Sequence, residues 1–277
     1  MSGRRFLQVD VFGRGGIDGN PVAVVLDAEG LTADQMQRFA NWTNLSETTF
    51  VTAADPGEAD YRVRIFTPDQ ELPFAGHPTL GTCHAWLEAG GVPREPGVVR
   101  QACGAGVVRV RTGGALAFAA PPLVRGGPVE PDVREELVRC LQVEDADVVD
   151  AAWVDNGPGW VGVLLASADA VLALEPAWHE FRGMDIGVVG LRTDGDTACE
   201  VRALCPGLGM NEDPVTGSLN AGLGQWLAGG VLPSSYVAAQ GTVIGRDGRV
   251  HVTRHGDAVW VGGDTVTRIV GDVDLGD

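Results

Sequence analysis

Four short stretches of this chain set polar groups among apolar or glycine residues: Asn44-Leu45-Ser46-Glu47-Thr48, Pro73-Phe74-Ala75-Gly76-His77-Pro78-Thr79, Asn211-Glu212-Asp213-Pro214 and Val215-Thr216-Gly217-Ser218. A water-poor pocket holds a few directed groups in this way. Gly76, Gly217 and Ser218 suit the binding of a carboxylate, because glycine permits close approach and the first N–H groups of a helix point outward without a partner. Ser218 taken alone reads equally as a helix N-cap. Glu47 reads by itself as a solvated residue at the start of a strand, His77 as a helix cap, and Asp213 as an acid favoured near a helix N-terminus. Other chemistries are poorly supported. There is no Walker loop, no GxSxG elbow and no HExxH, and the five histidines do not assemble a metal site by spacing. Cys83, Cys103, Cys140, Cys199 and Cys205 form an odd set with no CxxC pair, as expected of buried thiols in a reducing compartment. Neither metal nor cofactor is expected.

The elements that must position these groups repeat at half-length. Val63-Arg64-Ile65-Phe66-Thr67-Pro68 is echoed 138 residues later by Val201-Arg202-Ala203-Leu204-Cys205-Pro206. Each is followed by a Gly/Thr-rich turn and an apolar run, which closes on Trp86-Leu87 in one half and Trp226-Leu227 in the other. The openings also repeat, as β-branched runs joined at Gly19-Asn20 and at Asn156-Gly157, which is hairpin chemistry. Helices are predicted over 33–41, behind a Thr32/Gln35 capping box, and over 78–89, 132–141, 176–182 and 217–228; strands outnumber them. The runs 78–89 and 217–228 are apolar nearly all round, so each should be wrapped by sheet. The expected fold is α+β: two pseudo-symmetric lobes, each a curved β-sheet or barrel around one central helix, with a ligand cleft between them. Residues 1–125 and 126–277 form the two lobes, with the last strands able to swap back to the first; the boundary falls in the proline-interrupted stretch Pro121 to Pro131.

Composition agrees with this outline. A length of 277 residues suits two cores of ordinary size, and 40 glycines with 16 prolines imply many tight turns. The formal charge of −17 repels phosphate backbones and anionic lipid, so nucleic acid and membrane partners are not expected. The first ten residues lack an apolar signal region, and the longest apolar run, Val161 to Leu174, is broken by Ser167 and Asp169. A cytoplasmic, soluble protein is expected.

The segments NLSETTFV, FTPDQELPFAGHPTLGT and NEDPVTGS, with the opening VDVF and GNPVAVV, resemble the phenazine-biosynthesis isomerase (PhzF-like) family of the diaminopimelate epimerase fold, over essentially the whole chain. The resemblance implies a homodimeric, cofactor-free isomerase, typically of secondary metabolism. In it Glu47, as the single acid/base, moves a proton within a small unsaturated or cyclic amino or hydroxy acid. A base working on carbon needs a pKa nearer neutrality than a free carboxylate, which burial beside Leu45 and Phe50 would favour. By the same resemblance His77 contacts substrate and Asp213 holds its polar substituent, such as an amino group. Asn20 also matches a family motif, although the turn itself accounts for it. Related racemases and epimerases use two opposed cysteines; here the matching places hold Gly76 or His77 and Asp213, which disfavours two-thiol inversion. An amino-acid racemase using His77 and Asp213, and a non-catalytic binder of small carboxylates, remain as alternatives. Trp42, Trp153 and Trp178 stand as either pocket walls or core.

Overall fold

The structure, a computed structural model, describes residues 3–208 and 210–275. The chain separates into two compact units, residues 3–119 with 262–275, and residues 120–261.

In the first unit, β1 (Arg4–Val11) and β2 (Asn20–Val25) form an antiparallel hairpin. Helix α1 (Ala33–Thr43) carries the reciprocal Thr32/Gln35 cap that the sequence predicts, and ends on Asn44 in the left-handed region. It supplies the crossover that β3 (Glu47–Thr52) needs to run parallel to β2. β4 (Tyr61–Phe66) returns antiparallel to β3, the short β5 (Glu71–Leu72) folds back on β4, and α2 (Gly76–Glu88) follows. β6 (Val98–Cys103) then pairs parallel with β4, and β7 (Gly106–Arg111) and β8 (Leu116–Ala119) continue antiparallel.

The second unit begins with β9 (Arg125–Pro128) and α3 (Pro131–Leu141) and then repeats the first unit's order of pairings. β10 (Val148–Asp155) and β11 (Trp160–Leu165) make the hairpin, and α4 (Ala168–Leu172) crosses to β12 (Asp185–Leu191), which is parallel to β11. β13 (Cys199–Leu204) is antiparallel to β12, the short β14 (Glu212–Asp213) folds on β13, and α5 (Gly217–Leu227) follows. β15 (Ser235–Gln240) lies parallel to β13, and β16 (Gly248–His255) is antiparallel to β15. After β17 (Ala258–Gly263) the chain re-enters the first unit as β18 (Thr265–Val273), antiparallel to β1.

Each central helix is enclosed by its own sheet. Nine of the thirteen α2 residues and nine of the eleven α5 residues are buried, which explains why neither has a polar stripe. α2 packs on β1, β2, β3, β6, β8 and β18, and α5 on β10, β11 and β16. The sixth residue of each helix is a glycine for a steric reason. A Cβ on Gly81 would lie 2.3 Å from Val22 Cγ1, and one on Gly222 would lie 2.2 Å from the Val154 carbonyl oxygen. The other face of the second sheet packs against α3 and α4 through Leu137, Leu141, Val163, Val171, Ile186 and Val188.

The structure corrects two expectations. Residues 176–182 hold only a 3-10 turn at Trp178–Glu180, and the helix lies earlier, in α4, where the Ser167 side chain accepts from the Ala170 N–H and starts it. The proline-rich stretch 121–131 contains β9, whose backbone pairs with β10 from Arg125↔Asp155 to Pro128↔Ala152. Among the described residues no helix is long and apolar enough to cross a membrane.

Candidate active site

In the first unit the α2 start, the β2 start and the β3 start come together. Glu47 opens β3 opposite Val22. Its side chain is 14% exposed, and its Oε2 lies 3.2 Å from Nε2 of His77, the second residue of α2, itself 4% exposed. Glu47 is thus held against an imidazole rather than solvated. His77 does not cap its helix: the N-cap of α2 is Ala75, which makes no side-chain cap, so the first N–H groups are not taken up by a capping side chain. Burial lowers the His77 pKa from 6.5 to about 3, and a hydrogen bond with the Pro21 carbonyl offsets this only in part. The ring is therefore neutral at physiological pH.

Asn20 belongs to this group and not to the turn alone. It is fully buried, with its side-chain amide nitrogen 3.3 Å from His77 Nδ1. The other ring nitrogen, Nε2, is the one that faces the Glu47 carboxyl, so a neutral imidazole meets an acidic side chain. Beneath the α2 start, Gln101 Nε2 donates to Thr79 Oγ1 at 2.9 Å, and the Tyr61 hydroxyl donates to Gln101 Oε1 at 2.9 Å.

The second unit builds the corresponding group around α5. Asp213 is the last residue of β14, 8% exposed, and Thr216 Oγ1 donates to its Oδ2 at 2.5 Å. Gln240 at the end of β15 ties this turn down: its Nε2 donates to Thr216 Oγ1 at 2.9 Å, while its Oε1 accepts from the Thr216 N–H at 3.0 Å and from Asn220 Nδ2 at 2.8 Å. Thr216 gives α5 no side-chain cap. Ser218 is not the N-cap but the second helical residue. Its Oγ accepts from the Trp160 indole N–H at 3.1 Å, which leaves the hydroxyl hydrogen to be given elsewhere. Asn156 Nδ2 donates to the Ser218 carbonyl at 2.8 Å.

Glu47, His77 and Gly76 are therefore gathered in the first unit, and Asp213, Gly217 and Ser218 in the second. Sequence reasoning missed Asn20, Trp160, Gln101 and Gln240 as parts of these groups. The two glutamines were visible in principle, since they stand 139 residues apart, close to the period of the repeat. The three tryptophans considered as pocket walls lie elsewhere. Trp42 is 79% exposed and stacks on Phe39. Trp153 lies under the Arg125 guanidinium and donates to Glu130, and Trp178 stacks on Phe181. All five cysteines are free and buried, and burial pushes the Cys83 thiol up to about 12. A thiol in that state does not abstract protons from carbon.

The chain matches the family model described as phenazine biosynthesis-like protein over residues 9–271. It is 35% identical to antisense-enhancing sequence 1 of Schizosaccharomyces pombe over 98% of this chain and 99% of that one. It is 34% identical to the trans-2,3-dihydro-3-hydroxyanthranilate isomerase of Pseudomonas chlororaphis over 77% of this chain and 76% of the relative. In fold it is similar to the crystal structure of an Enterococcus faecalis phenazine biosynthesis protein of the PhzF family, with a TM-score of 0.82 and 24% identity over 99% of this chain and 100% of the other. The duplicated wiring, the uncapped helix starts and the match over nearly the whole length agree: the chain belongs to the phenazine biosynthesis-like PhzC/PhzF family.

Proposed function

We propose that this protein is an isomerase that shifts a proton within a small unsaturated or cyclic amino or hydroxy acid, with Glu47 as acid/base and without a cofactor. The observation that carries this reading is the Glu47 carboxyl at 3.2 Å from a buried imidazole that stays neutral. Glu47 takes a proton from one carbon of the substrate and returns it to another, and it needs a partner that can share the changing charge without itself ionising. A neutral His77 meets that need, since it stabilises by hydrogen bonding and does not compete for the proton. Asp213 holds the amino or hydroxyl substituent, and Ser218 with the N–H groups of Gly217 and Gly76 holds the carboxylate.

The substrate offered first is trans-2,3-dihydro-3-hydroxyanthranilate, for which related isomerases are named. Turnover is followed by proton NMR in water and in deuterium oxide. Glu47→Gln is expected to lower kcat by ~100-fold or more with little change in KM, because the amide keeps the shape and loses the proton transfer. Unchanged kcat in that variant rejects Glu47 as the base.

A further inference from the structure

A buried carboxyl in the second unit lies outside the arrangement above. Asp185 opens β12, is 5% exposed, and accepts a hydrogen bond from the Gly207 N–H. Its Oδ1 has no hydrogen-bond partner among the described residues. A carboxylate so placed loses its hydration without compensation, and the acid form is favoured. Desolvation raises the Asp185 pKa from 3.8 to about 7, against a smaller pull from the Gly207 N–H.

Strand register locates this carboxyl. Gly162, Gly187, Ala203 and Asp213 lie side by side across β11, β12, β13 and β14. The row faces α5, since a Cβ on Gly162 would meet Trp226 and one on Gly187 would meet Leu219. Side chains alternate along a strand, so the residue two before Gly187 shares its face. That residue is Asp185, paired in register with Trp160, whose indole donates to Ser218. Asp185 thus lies on the α5-facing side of the sheet, next to the tryptophan that reaches Ser218, with its carboxyl oxygens against Gly207, where a Cβ would lie 2.9 Å from Oδ1.

Among the described residues no nearby cation offsets an ionised Asp185. β11 and α5 contain no titratable residue, and after β13 comes Cys205. Arg202 on β13 is committed to Glu212 of β14, with Nη2 to Oε2 at 2.8 Å, which leaves Asp213 as the other acid on that strand. On its own segment the preceding Arg182 is exposed.

We propose that Asp185 is a proton-carrying ligand of the substrate's acid group: as an uncharged carboxylic acid it donates through Oδ1 to the carboxylate held by Ser218 and the α5 start. The inference rests on the reading of that helix start as a carboxylate cradle. Two adjoining carboxylates do not both stay ionised, so binding keeps or recruits a proton on Asp185, drawn from water and returned on release. Acid binding is then coupled to proton uptake at neutral and alkaline pH.

The test uses the whole chain and anthranilate, an unreactive aromatic amino acid, with aniline as the probe lacking a carboxylate. Titration calorimetry between pH 6 and 8.5, in buffers of different ionisation heat, measures protons taken up per ligand bound. The wild type is expected to take up close to one proton at pH 8.5, with affinity falling about tenfold per pH unit above 7. Asp185→Asn is expected to bind anthranilate with no uptake and a flat pH dependence, while Ser218→Ala weakens binding and keeps the uptake. In case the asparagine variant folds poorly, the infrared carbonyl band of a protonated carboxyl in the ligand-free wild type, lost as pH rises through 7, reads the same group independently. Absence of that band at pH 6, binding without proton uptake, or uptake that survives in Asp185→Asn overturns the assignment of Asp185 alone. No binding of anthranilate to the wild type, or equal binding of aniline, overturns the cradle and the assignment with it. The base role of Glu47 is decided separately, by turnover of Glu47→Gln.

Discussion

His77 holds no proton in the folded protein until the pH falls to about 3, whereas in the unfolded chain an ordinary histidine takes one up near 6.5. As pH falls from 6.5 toward 3 the unfolded state therefore binds more protons, and stability falls with it. His77→Gln removes this acid penalty. Urea unfolding at pH 7, 6 and 5 should show the wild type losing up to about 1.4 kcal/mol per pH unit below 6.5 relative to the variant. Parallel pH profiles would place the imidazole in water and undo the neutral-partner argument. Glu47 and His77 were legible in the sequence through the resemblance carried by NLSETTFV and FAGHPTLGT; by themselves they read as a solvated strand start and a helix cap. Asn20 was not, since Gly-Asn is turn chemistry and only the folded register brings its amide to His77. Asp185 and Trp160 were hidden for a related reason. A residue that opens a strand shows which face it takes only once its neighbours on other strands are known.

Between residue and fold stand two forked ion pairs, built alike and buried differently. Arg64 Nε and Nη2 reach the Glu71 oxygens at 2.8 and 2.7 Å, and Arg202 Nε and Nη2 reach those of Glu212 at 3.1 and 2.8 Å. Each clamps a short strand, β5 or β14, to the long strand before it, and so fixes the turn that leads into a central helix. The first pair is 32% and 41% exposed and the second only 3% and 6%, with Arg202 also donating to the Val171 and Leu174 carbonyls. An exposed pair adds little, whereas removing one partner of a buried pair strands a charge. Glu71→Ala should cost under ~1 kcal/mol in urea unfolding, and Glu212→Ala about 3–5 kcal/mol. Equal losses would mean that the Arg202 site is open to water. The arginines stood out in the sequence as part of the repeat, but their partners did not, because β5 and β14 are two residues long and carry no periodic pattern. Long elements such as α1 and α5 were read nearly to their ends, and α4 was missed because its five residues sit inside an apolar run.

At the scale of the whole chain, duplication explains why half the pairings could be inferred from the other half, and β18 is where the repeat stops being sufficient. The second half of the chain supplies a strand to the first unit. β18 pairs with β1 from Arg4↔Val273 to Val11↔Thr265, with one register shift, and packs against α2. β1 in turn carries Leu7, Val9 and Val11, all fully buried. Without β18 a whole edge of β1 loses its backbone partners and α2 loses one wall, so the cost is spread over an element rather than one contact. A chain ended after Gly263 should therefore lose the first unit's fixed packing while the strands and helices of residues 120–261 persist. Dye binding to exposed apolar surface is expected to rise, and limited proteolysis should cut within residues 3–119 and spare 120–261. If the truncated chain resists proteolysis throughout, β18 is an ornament on an already complete sheet, and the first unit closes on residues 3–119 alone.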